Sequence, residues 1–178
     1  GACQYVMWKE RHASGGLEIA PLDEIYLGPS FGREETEKTL RQKGPQNSYD
    51  ISEDAGPNQI AKLIADGKIL ARCTDRMEFG MRALGNRSIL ADPRSPTTVD
   101  KINRAIKFRD FWMPFTPSML DRRAGDYLVN PKNLKSPYMT MAFDSTAIAS
   151  ETLAGAIHPA DRTVRPQILE RERNPGYY

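Results

Sequence analysis

This sequence predicts an α/β fold, a twisted mixed sheet flanked by helices, on three observations. Helical and strand-like segments alternate through the middle of the chain with glycine between them. The apolar fraction is 39% and the charged fraction 27%, which suits a globular protein and argues against disorder or collagen-like repeats. The 178 residues fit one domain, or one domain and a piece of a neighbour.

The elements follow in order. Residues 2–12 read as a helix with Tyr5 and Trp8 on its apolar side, stopped by Gly15-Gly16. Residues 17–31, rich in Gly and Pro, read as a connector and a domain boundary. A helix over 33–43 opens on Glu34, Glu35 and Glu37 and closes on Lys38, Arg41 and Lys43. That order suits the helix dipole, and Gly44-Pro45 ends the run. Tyr49 and Ile51 alternate with polar residues, as in a short strand. Pro57 opens the next helix, whose stripe is Ile60, Leu63 and Ile64, and Gly67 closes it. Ile69 to Ala71 read as a buried strand, 74–87 as a loop, and Ile89 to Ala91 as another strand. Ser95 and Pro96 cap a helix that runs to Lys107, with Val99, Ile102 and Ile106 facing inward. Residues 108–118 are irregular, and strands are expected at Tyr138–Phe143 and Val164–Leu169.

Several function classes drop out. No apolar run approaches the ~20 residues needed to cross a bilayer, and no basic segment followed by an apolar core marks a signal peptide. The cytoplasm is the expected compartment, with no membrane partner. Cys3 and Cys73 lie far apart and in no metal-ligand spacing, which argues against a disulfide framework and a cysteine zinc site. Two histidines, His12 and His158, are too few for most catalytic metal sites, and no metal ligands are expected. The chain opens without Met and stops at Tyr177-Tyr178, so both ends read as cut.

The net charge of +2 is unevenly spread. Residues 1–70 hold 8 basic and 11 acidic side chains, 72–109 hold 9 and 4, and 110–178 hold 8 of each. The positive middle favours an anionic ligand. Within it lies Arg76-Met-Glu78-Phe-Gly80-Met-Arg82-Ala-Leu-Gly85-Asn86-Arg87-Ser88, after a strand, where α/β proteins commonly bind ligands. Arg76, Arg82 and Arg87 offer guanidinium forks that match phosphate oxygens, and the two glycines let backbone approach a ligand. Surface ion pairing with Asp75, Glu78 and Asp92 explains the same arginines equally simply.

The helix that follows adds weight to an anion site. Asn103 and Lys107 are four apart and share a face at the edge of the buried stripe, with Arg109 next in line. A lysine stem lying over the core edge is the alternative. A third patch runs from His158 through Asp161 and Thr163 to Arg165 and Gln167. Asp161 is placed to hold His158 in one tautomer, though a structural histidine is the simpler reading.

These residues carry a resemblance. The run from Arg76 to Arg94 resembles the signature of the nodulation and antibiotic carbamoyltransferases. So do N-R-A-I-K-F-R-D from Asn103, P-F-T-P-S from Pro114 and S-P-Y-M-T from Ser136. The patch from His158 to Gln167, with N-P-G-Y at Asn174, is similar to the family's H-x-D-G-T-x-R-x-Q block. The chain departs from the family at Met81 (usually Pro), Met113 (usually Arg), Arg162 (usually Gly) and Val164 (usually Ala).

The resemblance implies two domains. Residues 1–16 would be the last helix of a missing N-terminal ATPase-like transferase domain that works with iron. Residues 17–30 would be a linker. Residues 31–178 would be a threonylcarbamoyl-adenylate-synthase-like domain, incomplete at the C-terminus, that binds carbamoyl phosphate and ATP with Mg2+. It would make carbamoyl-adenylate for transfer to a hydroxyl of a small molecule. Arg82, Lys107 and Arg109 are the expected catalytic residues. Arg76, Glu78, Asn86, Arg87, Ser88, Asn103, His158, Asp161, Thr163 and Arg165 are the expected substrate contacts. The alternatives are a basic-faced RNA-binding module or an inactive structural piece. Aromatic residues are sparse in the basic stretch before Phe108, which argues mildly against nucleic acid.

Overall fold

The structure, a computed structural model, describes residues 2–14, 24–44, 48–52, 55–110 and 112–178. Three helices come first: α1 (Ala2–Ser14), α2 (Arg33–Lys43) and α3 (Pro57–Ala65). The terminal signals act as the sequence predicts. Gly44 closes α2 in the left-handed region at φ 60°, its N–H donating to Leu40 O. Pro57 opens α3, and Gly67 turns the chain at φ 78°. Neither α2 nor α3 buries a residue completely, so local terms hold α2: Glu37 pairs with Arg33 and Arg41 at 2.7 and 3.2 Å. Such exposed i,i+4 pairs contribute only about 0.3–0.5 kcal/mol each.

β1 (Leu70–Cys73) pairs antiparallel with β2 (Arg87–Leu90), Leu70 opposite Leu90 and Cys73 opposite Arg87. Both strands overlap the expected ones but are shifted toward the intervening loop, which leaves Ile69 and Ala91 outside them. α4 (Pro96–Ile102) starts at Ser95, whose Oγ accepts from Thr97 N–H at 3.3 Å. The chain then widens into a π-helical turn, Asn103–Lys107, and leaves it at Phe108 with φ 49°. The expected single helix to Lys107 is therefore two kinds of helix. The widened turn draws Asn103 inward to 1% exposure.

The second half builds the core. β3 (Ser118–Leu120), α5 (Asp121–Tyr127) and β4 (Leu128–Val129) follow one another directly. β5 (Phe143–Ser145), α6 (Ala147–Thr152), β6 (Thr163–Val164) and β7 (Gln167–Leu169) complete the order. β3 runs parallel to β7, and β4-β5-β6 form an antiparallel sheet. Met119, Leu128, Phe143, Leu153, Val164 and Ile168 meet in one apolar cluster. Each fully buried side chain of that size stabilises by roughly 1.5–3 kcal/mol. Thr146 fastens α6 to α5, donating to Asp126 O at 2.6 Å and accepting from Ala149 N–H at 3.2 Å.

Four expectations are corrected. In place of the expected twisted sheet, the described residues form three small sheets, one parallel pair and two antiparallel sets. Tyr49 and Ile51 lie in a turn and coil, 72% and 49% exposed, with no strand to pair with among the described residues. The strand expected over Tyr138–Phe143 begins only at Phe143, because Met139 takes φ 55° and turns the chain. The strand expected over Val164–Leu169 is divided at Arg165-Pro166, since proline has no N–H for the ladder. The elements between Ser118 and Val129 were unforeseen.

Candidate functional site

The loop between β1 and β2 is built around a carboxylate. Glu78 is 6% exposed, and its Oε1 accepts from the N–H groups of Leu84, Asn86 and Arg87 at 2.8, 2.7 and 3.1 Å. Burial pushes this carboxyl up, but the backbone N–H groups together outweigh it and hold it below the ordinary glutamate range. The loop carbonyls are fastened too. Leu84 O accepts from Tyr26 Oη at 2.9 Å and Gln167 Nε2 at 2.8 Å, and Gly85 O accepts from Arg72 at 2.7 Å. Gly85 N–H donates to Ser88 Oγ at 2.9 Å.

The side chains expected to bind substrate divide into two groups. One group faces a cleft of about 690 Å3. Arg82, Arg87, Ser88, Lys107, Arg109 and Arg165 line it. Arg82, Lys107 and Arg165 have no hydrogen bond or ion pair among the described residues. Arg87 is tied to backbone carbonyls: Nη1 donates to Thr74 O and Asn86 O, and Nη2 to Asp75 O. Arg109 is tied to Asn103, Met113 and Pro114 and stacks 4.2 Å over the Phe115 ring. Burial, and then the charge of Arg165, hold the Arg109 guanidinium below the usual arginine range. The acidic side chain on the cleft wall, Asp92, is gripped by Arg94 through two side-chain nitrogens. Positive charge in the cleft is thus uncompensated.

The other group does not line this cleft. Arg76 donates to Leu27 O and Gly28 O at 3.1 and 3.2 Å, and Asn86 Nδ2 to Arg76 O at 2.8 Å. Both border a separate cavity of about 220 Å3. Glu78 and Asn103 are buried behind the loop and behind Arg109. His158, Asp161 and Thr163 form a turn of their own. Asp161 Oδ1 accepts from Thr163 N–H at 2.9 Å and Oγ1 at 2.8 Å and lies 3.1 Å from His158 Nδ1. The Thr163 hydrogen bonds hold the Asp161 carboxyl below its ordinary value. Residues 25–29, read as the end of a connector, lie against the loop: Phe79 N–H donates to Ile25 O at 2.7 Å and Gly28 N–H to Met77 O at 2.9 Å.

Sequence reasoning missed Tyr177, Phe115 and Ser118, which also line the cleft. Tyr177 Oη donates to Ser118 Oγ at 2.9 Å, and Arg72 lies 5.1 Å over its ring. Glycine at 85, between Leu84 and a polar run, is the one sequence sign that a neighbour packs there. The departures at Met81 and Met113 differ in consequence. Met81 is 89% exposed at the loop tip, whereas Met113 still supplies its carbonyl to Arg109 at 3.2 Å.

No helix among the described residues is long and apolar enough to cross a membrane. Among the same residues, no three His, Cys, Asp or Glu side chains gather as a metal site would require.

Residues 61–178 match the family described as carbamoyltransferase C-terminus. An uncharacterised protein of Methanocaldococcus jannaschii is 41% identical over 90% of this chain and 26% of its own length. Nodulation protein NolNO of Sinorhizobium fredii is 36% identical over 88% of this chain and 23% of its own. Nodulation protein NolO of Bradyrhizobium diazoefficiens is 36% identical over 88% and 29%. The chain thus spans about a quarter of the length of the relatives it matches. With the family match running over residues 61–178, the cationic loop included, this chain belongs to the carbamoyltransferases and corresponds to their C-terminal region.

Proposed function

We propose that the cleft binds carbamoyl phosphate and ATP and forms carbamoyl-adenylate, for transfer to a hydroxyl of a small molecule elsewhere in a longer cytoplasmic enzyme. The observation that carries this reading is a set of cations with no partner among the described residues, Arg82, Lys107 and Arg165, sharing one cleft with the fixed Arg109. Cations gathered on one cleft favour a dianionic ligand. Arginine forks match phosphate oxygens in particular.

The chemistry would run in two steps. Water takes the phosphoryl group of carbamoyl phosphate and leaves carbamate. A carbamate oxygen then attacks the α-phosphorus of ATP, the bond to the β-phosphate oxygen breaks, and pyrophosphate leaves. Both steps spread negative charge over phosphoryl oxygens, so positioning and cationic stabilisation suffice without a protein nucleophile. The cleft offers Mg2+ no free carboxylate, because Asp92 is held by Arg94. The ion would arrive on ATP with phosphate and water as ligands. Glu78, Asn86 and Arg76 act in this reading as supports of the loop, not as contacts.

The same reading places residues 31–178 in an incomplete threonylcarbamoyl-adenylate-synthase-like domain, and 1–16 at the end of an iron-dependent transferase domain joined by 17–30. Exposed Tyr5 and Trp8, stacked 6.1 Å apart on α1, support a helix that packs against something beyond this chain.

The test uses the full-length protein. Arg82→Ala should lower carbamoyl-phosphate-dependent pyrophosphate release by about 10²–10³-fold, the scale of about 2.7–4 kcal/mol for one transition-state contact, with an unchanged melting curve. Release at the wild-type rate from that variant refutes the proposal.

A further inference from the structure

Arg109, like Arg87, is held by three hydrogen bonds, but one of its acceptors is a side chain and a ring lies over it. Its Nε donates to Asn103 Oδ1 at 2.8 Å, and its Nη2 to Met113 O at 3.2 Å and Pro114 O at 3.1 Å. A guanidinium has five N–H donors, so these bonds take three and leave the Nη1 pair without a partner among the described residues. The Phe115 ring covers one face of the guanidinium at 4.2 Å. Every one of these partners is neutral.

Asn103 is the residue that makes this arrangement. It is 1% exposed, too buried to meet a ligand in the cleft, and it does not line that cleft. Its own Nδ2 is aimed at Asp110 O and Met113 O at 3.3 and 3.4 Å. Its carbonyl accepts from the N–H groups of Phe108 and Arg109, closing the widened turn. Arg109 follows the π-turn and the left-handed Phe108, and both its backbone N–H and its guanidinium return to Asn103; such turns recur at functional sites.

We infer that Asn103 is a positioning residue that acts through Arg109, clamping three of its donors on neutral acceptors so that the Nη1 pair and the whole charge are offered to the anion. A carboxylate in the place of Asn103 would hold the guanidinium as firmly and cancel its charge. The asparagine holds it and leaves the charge intact. The inference rests on the anion-binding function proposed above and gives Asn103 a place in it that is not substrate contact.

A double-mutant cycle tests it, with carbamoyl phosphate affinity of the full-length protein measured by titration calorimetry. Asn103→Ala and Arg109→Ala should each weaken binding by about ten- to hundredfold. In the Arg109→Ala background, adding Asn103→Ala should change affinity less than about twofold, because the group it acts through is gone. Losses that multiply would overturn the inference, since Asn103 would then serve the ligand or the cleft by another route. If Asn103→Ala does not fold, Arg109→Lys decides the matter. It keeps the charge but cannot span Asn103 and the two carbonyls, so it should bind at least about tenfold more weakly than wild type. Wild-type affinity in Arg109→Lys would overturn the positioning role alone. Failure of the wild-type protein to bind would overturn the proposed function and this inference with it.

Discussion

The ring of Tyr177 occupies the space that a side chain at Gly85 would need. A Cβ built on Gly85 stands 2.6 Å from Tyr177 Cδ1, and Gly85 itself has φ 118°. The glycine therefore answers two demands at once, a backbone shape and a close neighbour.

Gly85→Ala should destabilise the protein by at least about 2 kcal/mol, from backbone strain and overpacking together. Urea unfolding measures the loss. Pairing it with Tyr177→Ala should recover only part, because the φ strain stays. Full recovery in the pair would show that crowding alone fixes the glycine.

Glu78→Gln should cost about 1–3 kcal/mol at pH 7, since one oxygen of a buried carboxylate serves three backbone N–H groups. The pH dependence has a definite sign. The folded-state carboxyl lies below its ordinary value of 4.5, so below that value the unfolded chain binds more protons. The stability Glu78 supplies is complete above that value and is lost as pH falls through the lower folded-state range. Unfolding curves from pH 7 to pH 3 should show the gap between wild type and Glu78→Gln closing as acid is added. A constant gap would contradict this account.

Arg162→Gly should raise stability by about 0.5–1 kcal/mol. Arg162 sits at φ 62°, where a residue with a Cβ is strained and glycine is not. Its side chain is exposed, so the exchange removes no packing. A lower melting temperature would mean that the turn of His158 to Thr163 draws on the arginine side chain. The resemblance noted glycine as usual here, and the backbone supplies the reason.

The local grammar of the first half was legible in the sequence. Gly44, Pro57 and Gly67 act where they were expected to, because capping depends on a few adjacent residues. The Tyr138 segment was misread because its alternation fits a strand while Met139 turns the chain. The division of the 164–169 strand follows from Pro166, which was in plain view. In the site, Arg82, Lys107, Arg109 and Arg165 line one cleft, and the place of Arg165 there depends on the fold and not on spacing. The indirect roles of Glu78, Asn103 and Tyr177 were not legible, because each depends on partners brought near only by the fold. Tyr26 and Asn174, 148 residues apart and hydrogen bonded at 2.6 Å, show how far apart such partners lie in the chain.

The parallel pairing of β3 with β7 has a bearing on biosynthesis. Ser118 meets Gln167 only after the intervening 48 residues have left the ribosome, and Tyr177 closes its side of the cleft later still. A nascent chain stopped short of Thr163 already displays the arginine loop but lacks Arg165 and the strand beside it. Until those residues emerge, the loop lacks the strand and the tyrosine ring that pack beside it.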